Sequence, residues 1–487
     1  MHMNQSQLEE LPARIHLVGI GGAGMSGSAR ILAQQGRKVS GFDRVSSDFL
    51  AGLRALGVKI TIGEENRGPL PKDVELVVRS AAVPMSDPDC AAAEQRGIPV
   101  WKYAKLLRYL APAGRTLAVA GTHGKTSVSW LLTYALRGIE HALGTKAPRR
   151  GFLIGGSCQK LGVNSAEPQP GGWFALEACE YDRSFHQFNS TGAIITNVEA
   201  DHLDYYGSLD AIEIAFARFA DRVDRDGLLV VGSNVPERVY SECRAPVWKM
   251  GRELHYRLLG EDRGCFAIQV HGPGWSTPPL QLALPGVFQV ENAALAIALA
   301  VGRVAREWKL DRSVAGAAAA REVERFSGAV RRFERWGSVE EIEVVHDYAH
   351  HPTEVRVTME AARRAFPGKA LHVLFQPHQY SRTAHFLDEF ATSFLGVERV
   401  VVSEVYGARK HIDKMGAGSE DLCRGLQRLG IESAAPGDLS ASLKNTARHL
   451  PDHAALFVLG AGDVDTIRDD LFRELALRSA KASATRI

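Results

Sequence analysis

The run Gly121-Thr122-His123-Gly124-Lys125-Thr126, inside "AVAGTHGKTSVSWLL", places a glycine-bounded turn, a cation and a hydroxyl on neighbouring positions. Between a strand and a helix such a run can hold phosphate. Backbone N–H groups at the helix start face the anion, the lysine neutralises the outer phosphates, and the hydroxyl reaches a magnesium ion. The usual spacing G-x-x-x-x-G-K-[ST] needs a glycine at position 119, where Val119 stands, so Gly121 makes a shorter loop. Two acidic motifs follow. "EACEYD" offers Glu177, Glu180 and Asp182; "TNVEADHLD" offers Asn197, Glu199, Asp201, His202 and Asp204. Carboxylates are the hard oxygen ligands that Mg²⁺ prefers, although acidic residues after strands also cap helices. Together the three motifs predict an ATP–Mg²⁺ site.

Two further groups could do chemistry. Gly19, Gly21 and Gly24 form G-x-G-x-x-G between an apolar run and a helical pattern, and Asp43 ends the next apolar run. That arrangement suits a diphosphate at a helix N-terminus, whether of NAD, FAD or a UDP-sugar. Taken alone it predicts an NAD-dependent oxidoreductase; a tight turn without a ligand is the plainer alternative. Later, "HDYAHHPTE" contains His346, His350 and His351, and "FQPHQYSRT" contains His378 and Arg382. His346 and His350 have a spacing that zinc could use on a helix. No convincing third ligand accompanies them, so zinc is not expected.

These residues need elements that hold them. "RIHLVGI", "KVSGFD" and "VELVVRSAAV" read as strands alternating with helical patterns, as do "TLAVAG", "GAIIT" and "GLLVVGSN", then "ALHVLF", "RVVVSE" and "AALFVL". Alternation of this kind predicts α/β architecture with parallel sheets, and polar motifs at the carboxyl ends of strands, where ligands collect. Pro112 and Gly114 suggest one joint and Gly328 another, giving domains at 1–112, 113–328 and 329–487. The 487 residues exceed a single core. The net charge of +2 gives no case for nucleic acid or membrane binding. Six scattered cysteines without a C-x-x-C pair fit a reducing cytoplasm. The polar N-terminus lacks the apolar core of a secretory signal. The longest apolar run, "AALAIALAVG", reads as a buried helix too short to span a bilayer.

The motifs resemble those of the Mur ligases. "GTHGKT" resembles the family's G-T-[HN]-G-K-T, "EACEYD" its E-A-D-E-x-D, and "TNVEADHLD" its T-N-[IV]-x-x-D-H-x-D. "HLVGIGGAGMSG", "RRFE", "DYAHHPTE" and "FQPHQYSRT" extend the likeness along nearly the whole chain, in the same order. The resemblance implies three domains: a Rossmann-like UDP-binding domain, a central P-loop ATPase-like domain and a Rossmann-like C-terminal domain. It implies ATP-dependent ligation of L-alanine to the carboxylate of UDP-N-acetylmuramate through an acyl phosphate, in peptidoglycan synthesis. The alternatives are ligation of a murein tripeptide to the same nucleotide sugar, the oxidoreductase above, and a nucleotide-binding regulator without catalysis. A monomer or homodimer is expected.

Residue roles carry over in the same way. Gly121, Thr122, His123, Gly124, Lys125, Thr126 and Ser127 would hold ATP, with Lys125 at the γ-phosphate and His123 toward the sugar. Thr126 and Glu180 would hold one Mg²⁺, and His202 a second. Asn292, Arg332 and Asp347 would approach the nucleotide. Gly21, Gly22, Ala23 and Gly24 would face the UDP diphosphate, with Asp43 and Ser80 near uridine. Tyr348, His350 and His351 would lie near ATP and the muramyl carboxylate. His378 projects at a ligand-binding strand end, Arg382 would take the amino-acid carboxylate, and Glu404 and Tyr406 would enclose alanine. Departures stand at Phe288 and Gln289, where His-Asn is expected, and at Gln379, where arginine is usual; His346 replaces an acidic residue and takes no role.

Overall fold

The computed structural model describes residues 10–144, 147–407 and 416–485; the polar N-terminal stretch read above lies largely outside them, at 1–9. The chain divides into two compact units, one of Met1–Arg257, Ile268–Leu280 and Glu291–Ala329, the other of Leu258–Ala267, Gln281–Val290 and Val330–Ile487.

Two of the sheets lie wholly within the first unit. In the first sheet Arg14–Val18 is central, with Lys38–Asp43 and then Lys59–Ile62 on one side and Leu76–Arg79 and then Val100–Lys102 on the other. All four pairings are parallel. The order reverses beside Arg14–Val18, so a crevice opens at its carboxyl end, where Gly19 begins the glycine loop. The second sheet runs Val247–Lys249, Val223–Val231, Ser190–Ile195, Thr116–Ala120, Phe174–Glu177, Gly151–Leu153 and Ser165–Ala166. Its strands are parallel apart from the last pair. Thr116–Ala120 is buried at every position; a strand covered on both faces has no polar alternation to show. The phosphate-type loop leaves its carboxyl end.

The two sheets are tied together. The Asn164 side chain donates to the Ala23 carbonyl at 2.8 Å, and Lys102 pairs with Asp182 at 2.8 Å. Residues of both sheets, from Ile15 and Leu17 to Ala118 and Leu229, share one buried apolar cluster. The glycine loop is therefore fixed relative to the second loop.

The second unit holds a six-stranded sheet: Glu334–Val339, Ile342–Asp347, Ala454–Leu459, Ala370–Phe375, Arg399–Ser403 and Glu432–Gly437. A hairpin makes the first pair antiparallel and the rest are parallel. Phe288 packs against the apolar cluster of this unit, which accounts for an aromatic residue at that position. The apolar run expected to be too short for a bilayer is part of a longer helix. Val287–Leu299 continues through a π-helical turn, Ala300–Ala305, giving 19 residues, enough by length and composition to cross a membrane. Its most apolar window is 78% buried within the protein, as a core helix would be.

Two buried histidines give this unit a pH dependence. The His346 ring lies 4.7 Å from the Trp336 ring, with Nδ1 2.7 Å from the Val458 carbonyl. Burial lowers its pKa from 6.5 to about 4. Burial, with Arg399 and Arg478 nearby, lowers His372 to about 4 as well. In acid the unfolded chain binds these protons and the folded chain resists them. Their contribution is thus present above pH 6.5 and lost as the pH falls through 4. The melting temperature should decline across that window, and less steeply in a His346→Gln/His372→Gln variant. An equally steep decline in the variant would remove these residues as the cause.

Candidate active site

The loop after Thr116–Ala120 depends on two glycines in left-handed space, Gly121 at φ +143° and Gly124 at φ +82°. A Cβ on Gly121 would run into the Thr196 hydroxyl. Gly124 turns the chain into the helix Lys125–Leu143, whose first N–H groups open toward the loop. The loop is braced from the next strand end. Thr196 Oγ1 donates to the His123 carbonyl at 2.6 Å, and Asn197 Oδ1 accepts from the His123 amide at 2.9 Å. Thr122 Oγ1 accepts from the Glu199 amide at 2.9 Å. Asn197, read above as a metal-type residue, therefore shapes the loop; its position two residues past a buried strand was the available signal.

Lys125 Nζ donates to the carbonyls of Gly121 (2.6 Å) and Thr122 (3.0 Å) and to the Glu180 carboxylate (2.9 Å). Burial alone would lower the lysine pKa, but Glu180 reverses this and leaves it raised, so the cation is secure. Thr126 Oγ1 donates to Glu177 at 3.1 Å, and Glu177 also accepts the Gly155 amide at 2.8 Å. His202 Nε2 stands 3.8 Å from Glu180. His202 is itself left-handed at φ +50°, as are Asp182 and Arg183 just after Glu180, both at φ +53°. Backbone strain of that kind persists where surrounding contacts over-determine it. The Tyr206 hydroxyl, which the motifs did not flag, donates to the Glu180 carbonyl at 2.5 Å. Lys125, Thr126, Glu177, Glu180 and His202 thus form one cluster. Glu180 is buried, and both of its carboxylate oxygens stand 2.9 Å from the Lys125 ammonium. With the Thr126 hydroxyl it supplies the hard oxygens that fit Mg²⁺. Asn292 borders the loop: a Cβ on Gly124 would lie 3.3 Å from its Oδ1. Ser127 is buried in the first helical turn. His123 Nε2 lies 3.6 Å from Glu199.

At the first sheet the Gly21 amide donates to Asp43 Oδ2 at 2.7 Å, and Ser47 Oγ donates to the Gly21 carbonyl at 2.7 Å. Asp43 therefore anchors the glycine loop. Ser80 donates its amide to Val18 at 3.0 Å and sits against Gly19. Gly22 caps the helix Ala23–Gln34, and a side chain on Gly24 would overlap the Tyr103 ring. These residues form a second group within the first unit.

The remaining predicted residues lie in the second unit. Asp347 ends the strand Ile342–Asp347; its carboxylate accepts the Phe333 amide (2.7 Å) and the Ala349 amide (2.8 Å). Burial raises its pKa to about 6, against Arg332 and these two bonds. Asp347 thus holds a backbone turn in which Arg331 and Phe333 are left-handed. Arg331 and Arg332 stand over the Tyr348 ring, 4.8 and 5.0 Å from its centroid. From Tyr348 the rings of His350, His378 and Tyr406 follow at 5.2, 5.7 and 5.7 Å. Arg382 reaches His378 Nδ1 at 3.2 Å and is buried. His351 caps the helix Pro352–Ala365 and packs on Phe386. Glu404 is exposed, its amide donating to Gly437.

Three family descriptions match in order: Mur ligase family, catalytic domain, at 14–115; Mur ligase middle domain, at 119–300; and Mur ligase, glutamate ligase domain, at 331–462. A curated UDP-N-acetylmuramate–L-alanine ligase of Saccharopolyspora erythraea is 36% identical over 484 residues, spanning 96% of this chain and 94% of the relative. The chain belongs to the Mur ligase family. Among solved structures, the Thermotoga maritima UDP-N-acetylmuramate–alanine ligase superposes with a TM-score of 0.74 at 24% identity, covering 96% of this Mur ligase and 99% of that chain. A murein peptide ligase from Psychrobacter arcticus gives 0.69 at 22% identity, with the same coverage. At those identities the two structures speak for the fold only. The α/β architecture of this Mur ligase, with mostly parallel sheets, is as the sequence predicts.

Proposed function

We infer that this Mur ligase joins L-alanine to the carboxylate of UDP-N-acetylmuramate, forming ADP and phosphate, as a step of peptidoglycan synthesis. The observation that carries the reading is the end-to-end similarity to an alanine ligase, 36% identical over 96% of the chain. A muramyl carboxylate oxygen attacks the γ-phosphorus of ATP, the bond to the ADP oxygen breaks, and an acyl phosphate forms. The alanine amine then attacks the acyl carbon, phosphate leaves and the amine loses a proton. Both steps gather negative charge, so positioned cations and N–H groups do most of the work.

Lys125 is assigned to the γ-phosphate, and the loop Gly121–Ser127 to the remaining phosphate oxygens. Thr126 and Glu180 would hold one Mg²⁺ and His202 a second, and bound metal would supply further neutralisation of the phosphate charge. Asn292, Arg332 and Asp347 are assigned to the nucleotide side. Gly21 to Gly24, Asp43 and Ser80 are assigned to the UDP moiety. Tyr348, His350 and His351 are placed near the reacting carboxylate, and His378, Glu404 and Tyr406 near alanine. Arg382 would bind the alanine carboxylate through its planar fork. Domains at 1–112, 113–328 and 329–487, a monomer or homodimer, and a cytoplasmic location complete the reading; six free cysteines are in keeping with the last.

Arg382→Ala should raise KM for L-alanine about tenfold with a smaller change in kcat, since the contact is to ground-state carboxylate. An unchanged KM would remove that role. The substrate itself is tested by offering equimolar L-alanine and murein tripeptide and identifying the nucleotide product by mass. UDP-N-acetylmuramyl-alanine should predominate; a predominantly tripeptide product would transfer the assignment to the recycling reaction.

A further inference from the structure

The turn after the strand Val223–Val231 is held from two sides. On one side Lys249, the last residue of the edge strand Val247–Lys249, donates to three carbonyls of that turn: Gly232 (3.3 Å), Ser233 (3.1 Å) and Val235 (3.2 Å). On the other, the Glu291 carboxylate accepts the Ser233 amide at 2.7 Å and the Ser233 hydroxyl at 2.9 Å. Between them Gly232 has no room for a side chain, because a Cβ would meet the Thr196 carbonyl and the Glu291 carboxylate.

Ser233 and Asn234 are exposed, so water could satisfy this turn's polar groups. Water could not fix its position. One ammonium on three carbonyls does, at the cost of partly burying a cation whose pKa is lowered by desolvation. Both contacts from the turn lead to the phosphate loop. Glu291 precedes Asn292, whose amide borders Gly124. Thr196, whose carbonyl faces Gly232, donates its hydroxyl to His123.

We propose that Lys249 and Glu291 are positioning residues for the nucleotide, fixing the turn at 232–235 and thereby Asn292 against the phosphate loop. Neither residue touches the reacting atoms. The proposal rests on the reading of Gly121–Ser127 as the ATP loop, and it adds the sheet edge as the part that sets nucleotide affinity.

The test compares Lys249→Met, Glu291→Ala and Glu291→Gln in the full-length enzyme, with KM for each substrate, kcat and melting temperature measured for all three. Lys249→Met should raise KM for ATP about tenfold, with kcat and the KM values for UDP-N-acetylmuramate and L-alanine within twofold of wild type. Glu291→Ala should do the same. Glu291→Gln keeps an acceptor for the Ser233 amide and should restore most of the affinity. An unchanged KM for ATP in folded Lys249→Met overturns the proposal while leaving the ATP loop standing. A parallel loss in every parameter together with a lower melting temperature also overturns it, since that marks general support of the fold. Wild-type turnover that does not require ATP would take down the loop assignment and the proposal together.

Discussion

Lys125→Ala is expected to lower kcat by about a hundredfold or more while leaving UDP-N-acetylmuramate affinity within twofold. The lysine is bonded inside the phosphate loop, on the Gly121 and Thr122 carbonyls, and its charge is secured by Glu180. On the proposed assignment its removal takes the lysine cation from the γ-phosphate and leaves the loop amides, the helix N-terminus and bound metal to neutralise it. The first sheet, where Asp43 and Ser47 set the glycine loop, is built independently of it. Calorimetric binding of the nucleotide sugar beside steady-state turnover separates the two effects. Near-normal turnover would contradict the loop assignment; loss of sugar binding would mean that the two loops act as one.

Glu180→Gln should be comparably damaging for a different reason. Glu180 has two roles: it neutralises Lys125 at 2.9 Å and offers a hard oxygen 3.8 Å from His202. The amide keeps the shape and loses the charge. Turnover should fall about a hundredfold and the half-saturating Mg²⁺ concentration should rise, because a neutral amide is a poorer ligand for a hard cation. Binding of metal-free ATP should not weaken, since Lys125 loses its competing carboxylate. Unchanged Mg²⁺ dependence would take Glu180 out of the metal set; weaker binding of metal-free ATP would show that the ion pair helps the nucleotide.

Much of the scaffold was legible because parallel strands covered on both faces must be written as apolar runs. "KVSGFD" became Lys38–Asp43 residue for residue, and "TLAVAG" became Thr116–Ala120, its final glycine opening the loop instead. Local chemistry was legible too: Gly124 before Lys125 demanded a turn and supplied one. Long-range contacts were not. The sequence does not name the partners: that Asn197, placed only by its position after a strand, braces His123, that Tyr103 fills the space beside Gly24, or that Tyr206 holds Glu180. Those pairs are tens of residues apart and meet only when the sheet order is set. Asp347 shows the same limit. The residue type at a strand end does not show that both oxygens carry backbone amides, from Phe333 and Ala349. The left-handed backbone at Asp182, Arg183 and His202 left no mark in the residue types.

The central claim is a ligation that consumes ATP only when both other substrates are present. Phosphate release from Mg-ATP, measured with UDP-N-acetylmuramate and L-alanine together and then with each omitted in turn, tests it directly. The account predicts sustained release that requires all three, with one phosphate per UDP-N-acetylmuramyl-alanine formed. Release that continues without the nucleotide sugar or without an amine, or a complete lack of release in the full mixture, would contradict it.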